Sequence, residues 1–461
     1  MRLLPLLFLL GLTSPLLAQL DLGTHFMRGT WQAYQSNPAL LPQQRITISL
    51  PNIYGYGEVS GFTLDEVLEE NSAGTTVLNV DKAISLLKPE NYIRDRIDLG
   101  TLGVGFHVGG WYLSLGHNIR QSAFAKYPKE LAQLAWKGNA QFVGQEIQIA
   151  PKVGIQTYQE ISLGLGFKAS KHFTLGARVK LLNGMGNISS RNQDFRLFTS
   201  DDVYQLTVDA DYGLNAAGTQ LQYNGFRDIS AKLDAATFNW SSAWTNNTGF
   251  ALDLGASLNL GRLELAASIL DLGQINWKQD VTNLAIKGKY SFEGLDVFPQ
   301  IWTDSVSFSS IIDTLEARFK ISETNQVYAS VLPTYSFFSA NLHITDRTSL
   351  GVLAYGERIL GEWLPAMALS GQTELFKGFT IGAVYVVRNK RFDNFGVNTS
   401  LKIGPLQVFA ATDNLLTLLQ GSNSNAINIR AGLNLVFGKM EKSSKLKVED
   451  DKDFFKEKAK N

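Results

Sequence analysis

The residues most able to do chemistry in this chain are five histidines: His25, His107, His117, His172 and His343. None forms an HExxH pair or another spacing that would set two imidazoles on one metal. The chain contains no cysteine, which removes thiolate ligands, thiol nucleophiles, disulfides and lipid anchors on cysteine together. Gly164-Leu165-Gly166-Phe167-Lys168-Ala169 matches GxGxxA, whose chemistry is a pyrophosphate held at a helix N-terminus. That use needs a helix to begin inside the motif. Here strand-like alternation resumes at Phe173 and continues to Leu181, so the glycines read as strand residues. A lipid hydrolase built on Ser114 and a histidine would need the pair at a lipid-facing rim, and nothing in the pattern puts it there. The expectation is a protein that is not an enzyme, with no catalytic, metal or cofactor residues, and with ligand-binding residues unassigned. Trp111, Trp277, Trp363, Tyr54, Tyr56 and Tyr385 have two readings, an interfacial girdle near strand ends or, for a minority, the lining of a ligand path.

The chain is apolar at every second position, in repeated segments, from Leu99 to Phe437. The clearest pair is Leu102, Val104, Phe106 and Val108, then Gly109-Gly110, then Trp111, Leu113 and Leu115. The opposite parity carries Thr101, Gly103, Gly105 and His107. Period-two alternation is a strand with one apolar face, and Gly-Gly is a two-residue hairpin turn. The pattern recurs at Phe250–Leu260, Leu263–Ile269, Phe379–Val387 and Phe395–Ile403. A second parity so poor in bulk fits a barrel with lipid outside and a polar lumen. The fold class expected is all-β, a transmembrane antiparallel up-and-down β-barrel of about 14 strands (12 to 16), with short helical insertions in its loops. A formal net charge of zero gives no case for nucleic acid.

The ends of the chain suggest four regions. Arg2, the apolar run Leu3–Leu12 and Ala18 read as a signal peptide over 1–18. Residues 19–44 then form an N-terminal periplasmic or plug segment, 45–438 the outer-membrane barrel, and 439–461 a charged periplasmic tail. The last strand places Ile427, Ile429, Ala431, Leu433, Leu435 and Phe437 on one face, and Asn428, Arg430, Gly432 and Asn434 on the other. Such a closing strand, ending in an aromatic, is the segment that barrel-assembly machinery recognises. The tail beyond it, with eight lysines and six acidic residues from Gly438 to Asn461, reads as a solvated end or as a docking segment for a periplasmic partner.

Between the strands, Leu64–Glu70, Asp81–Leu87 and Ser122–Trp136 read as helical. Short turns are expected at Gly109-Gly110, Lys171-His172, Gly261-Arg262, Ser322–Asn325, Thr345–Thr348, Phe376–Gly378 and Gly404-Pro405. Longer links are expected at Asn183–Asp202, Glu293–Asp313, Gly356–Leu364 and Thr412–Asn425. Short turns facing the periplasm and long loops facing outside would orient the barrel.

The strings KHFTLGARVKLLNGMGNISS, LFTSDDVYQLTVDADYGLN, NTGFALDLGASLNL, SILDLGQINW and GPLQVFAATDNLL with INIRAGLNLVFGK resemble an uncharacterised family of Bacteroidota outer-membrane barrels. Asn37-Pro38-Ala39-Leu40 is similar to the Asn-Pro-Ala segment of fatty-acid-transporter-type barrels, whose N-terminal segment plugs the lumen. The last strand and its DNLL segment also resemble barrel partners of the type IX secretion machinery. Asp304-Ser305-Val306 and Asp313-Thr314-Leu315 resemble an O-glycosylation sequon of the same envelopes. These resemblances imply a Gram-negative outer membrane, membrane lipid as a partner, and a porin-like channel or transporter for small molecules, hydrophobic ones included. The alternative they leave is a structural or secretion-associated barrel acting through partners.

Overall fold

Fourteen long antiparallel strands close on themselves in this computed structural model, which describes residues 22–70, 74–202, 205–218, 221–223, 229–231, 244–292, 321–388, 391–415 and 425–439. In chain order they are β1 (Gln44–Val59), β2 (Glu90–Val108), β3 (Trp111–Pro128), β4 (Lys152–Lys168), β5 (Phe173–Thr199), β6 (Thr248–Leu260) and β7 (Leu263–Trp277). They continue as β8 (Thr334–His343), β9 (Thr348–Ile359), β10 (Glu362–Phe376), β11 (Phe379–Arg388), β12 (Arg391–Ile403), β13 (Leu406–Thr412) and β14 (Ala426–Lys439). Each pairs with its neighbour, and β1 closes the ring against β14 from Gln44↔Lys439 to Glu58↔Ala426. Closure is what lipid demands, because an open edge would leave backbone groups without partners. The outward parity is exposed and apolar, with Leu102, Leu115, Leu163, Leu181, Phe338, Met367 and Leu369 among its residues. Among the described residues no helix is long and apolar enough to cross a membrane.

One end of the barrel carries tight turns, with Gly109 and Gly261 at positive φ where a side chain would be strained. The other end carries the long links. There the upper part of β5 leaves the ring and pairs with Leu206–Ala217, which pairs in turn with Thr282–Phe292 and then Ile321–Thr324. This lobe has a core of its own, made of Phe142, Ile147, Leu197, Leu206, Val208, Ala210 and Ile286.

Several sequence expectations shift here. The link expected at Asn183–Asp202 is strand as far as Thr199; its polar residues mark a strand that has left the lipid rather than a loop. The helix expected over Ser122–Trp136 is confined to Lys129–Lys137. Ser122–Lys126 is bonded on both sides, to β2 and β4, and the ladder overrides the helical propensity of Ala and Lys. Helix in Leu64–Glu70 stops at Val67, and Leu68–Glu70 pairs with Thr76–Leu78. Gly356–Leu364 is no long link but the ends of β9 and β10 around a tight turn, with Leu360 and Gly361 both at positive φ. Ser322–Asn325 is no short turn: Ile321–Thr324 is a strand at the long-link end. Glu293–Asp313, the two Asp-Ser/Thr sequons, the leader at 1–18 and the tail beyond Lys439 lie outside the described residues.

Candidate functional site

The site is the lumen, and the lumen is filled. Residues 22–43 enter it as a 3-10 turn (Gly23–Phe26) and a short helix (Trp31–Ser36), capped by Thr30, whose Oγ1 accepts from the Ala33 amide. Room for this plug is made by glycines on the inward parity. A Cβ at Gly103 would strike Trp31, at Gly164 Tyr34, at Gly166 Leu41, at Gly176 the Pro38 carbonyl, at Gly255 Asn37 and at Gly351 Phe26. The glycines of the GxGxxA string are therefore clearance for aromatic and aliphatic plug residues, not a phosphate cradle.

Hydrogen bonds then fasten the plug to the wall all round. The Leu22 and Gly23 amides donate to Asp413 at 2.7 and 2.9 Å. Gln32 and Asn434 exchange side-chain bonds across 402 residues of sequence. Tyr34 Oη lies 2.7 Å from Ser114 Oγ, Arg178 donates to the Gln35 carbonyl, and Ser268 donates to the Ser36 carbonyl. Asn37 Nδ2 donates to the Ala256 and Ala267 carbonyls, inside the wall itself. Arg28 forms an ion pair with Glu264 at 2.7 Å.

His25 sits between Ser36 Oγ and Ser339 Oγ, 2.8 Å from each, and is fully buried. Burial, with the nearby Arg28 charge adding to it, holds its pKa well below the usual imidazole range. Three of the remaining histidines are structural in their contacts. His107 Nε2 bonds the Pro42 carbonyl, His117 bridges Thr101 and Gln159, and His172 bonds the Asn259 carbonyl in a turn. Among the described residues no group of three or more His, Asp or Glu is placed to hold a metal.

Beyond the plug the walls meet one another. Strands β2 and β9 are seven apart in a ring of fourteen, so they stand on opposite walls, yet Arg94 Nη1 reaches Glu357 Oε2 at 2.8 Å. Arg94 Nε also pairs with Glu58, which accepts from Tyr56 and Tyr92, and Arg388 completes the group. Lys126 of β3 and Lys152 of β4 both pair with Glu362 of β10. Phe124 packs on Ile359 and Leu364 in the same tier. A round section of fourteen strands would be about 28 Å wide, so these contacts require the barrel to be flattened toward its long-link end. Tyr54 and Tyr56, read as girdle candidates, are buried in the lumen, and Trp277 is buried with its Nε1 donating to Ser330. Tyr54 and Tyr56 carry arginines on their faces instead, Arg96 and Arg430 on Tyr54, Arg94 and Arg388 on Tyr56. Trp111 and Trp363 do point outward.

Between plug and flattened tier lies a second charged group. A β-bulge opposes Leu270 and Asp271 to Asp253, and Asp271 adopts a positive φ of 61°. Asp271 thereby turns into the lumen beside Lys180 and Arg120. Asp253 accepts from Arg178 Nε at 2.7 Å and pairs with Lys180 at 2.9 Å; Arg120 and Lys180 share Glu160. Asp253 thus faces the lumen from within an ion cluster, with no exposure at all. Against this cluster lies a cavity of about 70 Å³, floored by Thr24, Gln35 and Ser36 of the plug.

These features define a closed fourteen-strand transmembrane barrel whose lumen is occupied by its own N-terminal segment. The model of a family of unknown function (DUF5723) matches residues 38–413, and the chain belongs to that family. No curated protein is similar to it in sequence. Among solved structures it is similar to a FadL homologue of Pseudomonas aeruginosa, at 12% identity and a TM-score of 0.40, covering 91% of this chain and 96% of that one. The toluene transporter TodX of P. putida matches at 9% identity and 0.40, covering 89% and 94%. The toluene transporter TbuX of Ralstonia pickettii matches at 8% and 0.40, covering 88% and 93%.

Proposed function

We propose that this protein is a gated transporter of small molecules in a Gram-negative outer membrane, and that the structure is its closed state. The observation that carries the reading is how the plug is held. It is fastened to strands all round the ring by one ion pair and by side-chain hydrogen bonds, worth about 0.5–1.5 kcal/mol net each where both partners are neutral and about 1.5–3 kcal/mol where one is charged. Beyond its peptide bond to β1 no cross-link holds it, and residues 22–43 form no strand of the sheet, so it can leave without unfolding the wall. On this reading the tight turns face the periplasm, the lobe faces outside, and β14 is the strand presented to the assembly machinery. Leu270, Phe337, Leu353, Val384 and Val386, which pack on Leu22 and Phe26 of the seated plug, would line the passage once the plug leaves and give it an apolar wall.

The test is conductance in planar bilayers. A variant lacking 22–43 and carrying Arg94→Gln, Glu357→Gln, Glu362→Gln and Phe124→Ala, which releases every cross-lumen contact named above, should show stepwise currents, while the native chain is silent. If that variant inserts with the heat-modifiable mobility of a folded barrel and stays silent, transport is refuted. The second reading, a scaffold acting through partners, would then lead; the separately cored lobe at the long-link end favours it.

A further inference from the structure

We propose that the wall beneath residues 22–28 is a binding site for a small apolar molecule with a primary-amide head, and that those residues are its built-in occupant. The inference rests on the transporter reading and supplies its substrate class. The plug has two parts that hold different walls. Gln32, Tyr34, Gln35, Ser36 and Asn37 bond to β3, β5, β6, β7 and β14. Leu22, Gly23 and His25 bond instead to β8, β12 and Asp413, the residue after β13. Between the parts stands Gly29, at a φ of 79°, where a Cβ would strike the Gln43 side chain. Its carbonyl accepts from the Gln43 amide at 3.1 Å and closes 29–43 into a loop. Residues 22–28 are therefore an arm that pivots on a glycine and can lift while the loop stays seated.

What the arm covers defines what can replace it. Leu22 and Phe26 lie in an apolar cluster with Phe337, Leu353, Val384 and Val386. Asp413 is fully buried, and its Oδ2 and Oδ1 accept from the Leu22 and Gly23 amides at 2.7 and 2.9 Å. Asn398 Nδ2 donates to the Gly23 carbonyl at 3.4 Å, while its Oδ1 is buried without a hydrogen-bond partner. A Cβ at Gly23 would come within 3.1 Å of Asp413 and 3.3 Å of Asn398, so only a slim polar group fits between them. The site thus presents three acceptor oxygens and one donor beside an apolar wall. A primary amide supplies two N–H donors and one carbonyl, the same set that the Leu22–Gly23 backbone supplies. A carboxylate head supplies no donor and sets its charge beside Asp413. An aromatic hydrocarbon leaves these buried polar groups unpaired, and such a mismatch discriminates strongly.

The experiment is equilibrium dialysis of radiolabelled hexanamide against the full-length folded barrel in detergent. In Leu22→Ser/Phe26→Ser, which loosens the arm and leaves the wall unchanged, saturable binding is expected, competed by unlabelled hexanamide and not by hexanoate or toluene. The native chain should bind at least about tenfold more weakly, because its arm competes for the site. Asp413→Asn added to the loosened arm exchanges an acceptor oxygen for a donor and should weaken binding at least about tenfold. On the native chain, saturating hexanamide should speed hydrogen exchange of the Leu22 and Gly23 amides, and hexanoate should not. Absence of saturable binding by the folded loosened-arm barrel overturns the proposal. So does equal competition by hexanoate or toluene, a native affinity equal to the variant's, or unchanged affinity in a folded Asp413→Asn variant. Should the variants fail to fold, exchange on the native chain decides alone, and unchanged exchange there refutes the site. Conductance of the unlocked barrel without hexanamide binding would sink only this proposal. Hexanamide binding by a barrel whose unlocked form stays silent would leave the site standing and remove transport.

Discussion

Asp253 and Leu254 are neighbours on β6 that face opposite solvents, and exchanging their chemistry tests the account of the wall. Leu254 is 42% exposed on the outward parity, whereas Asp253 is wholly buried. Leu254→Arg places a charge toward lipid, which costs about 2–4 kcal/mol near the midplane and less toward either interface. An Asp253 facing open water would make Asp253→Asn nearly neutral. In the observed cluster the same change strips Arg178 of its ion-pair partner, leaves Lys180 with two, and weakens the acceptor for the Asp271 amide that holds the bulge. Breaking a buried pair from one side costs about 3–5 kcal/mol. Asp253→Asn should therefore destabilise the barrel at least as much as Leu254→Arg. The assay is urea-induced unfolding in lipid vesicles, followed by tryptophan fluorescence and heat-modifiable mobility. Arg178→Gln added to Asp253→Asn removes the uncompensated charge and should recover at least about 1 kcal/mol. An Asp253→Asn variant within about 0.5 kcal/mol of the native barrel, the range of an ordinary surface change, would refute the reasoning.

Three further outcomes follow from the lumen. Gly176→Val should leave the barrel folded but unseat the plug, because its side chain occupies the place of the Pro38 carbonyl; limited proteolysis would then cut within 22–43, and continued protection there would contradict the packing. Phe124→Cys and Ile359→Cys should be joined in intact membranes by a short bifunctional maleimide, which spans the gap that the two large side chains leave, whereas a disulfide needs Cα atoms within about 7 Å; no cross-link would mean the section is not flattened. His25 has a depressed pKa in the seated plug, so the released form binds the extra proton. Seating is then unaffected above the usual histidine value near 6.5 and weakens as pH falls below it. Protease protection of the plug should drop from pH 7 to pH 5, and His25→Gln should abolish that dependence.

The wall was legible in the sequence because lipid imposes a strict rule on alternate residues, and Leu102, Phe250 and Phe395 obey it. Strand ends were less legible. Loop-like polarity at Asn183–Asp202 comes from strand in water, and the turn at Leu360-Gly361 lacks an expected Asn-Gly or Gly-Gly pair. The site was hardest to read, since its contacts join residues hundreds of positions apart. Gln32 meets Asn434, and Arg94 meets Glu357. One signal was present: glycines crowding the inward parity at 103, 105, 164 and 166 record a body that must fit against them. Inward Asp and Glu find their cationic partners on other strands, Asp271 through a bulge that no local pattern announces.

Flattening has a consequence for how the lumen could open. The perimeter of the barrel is fixed by its fourteen strands and their ladder, whereas its cross-sectional area is not. A circle encloses the largest area that a given perimeter allows, so rounding the section widens the passage without parting any pair of strands. The resistance to that change resides in a few side chains that reach across, Arg94 with Glu357, Lys126 and Lys152 with Glu362, and Phe124 with Ile359 and Leu364. Bore is thus decoupled from closure in lipid: the sheet keeps its hydrogen bonds in either shape, and width becomes a property of the contents rather than of the wall.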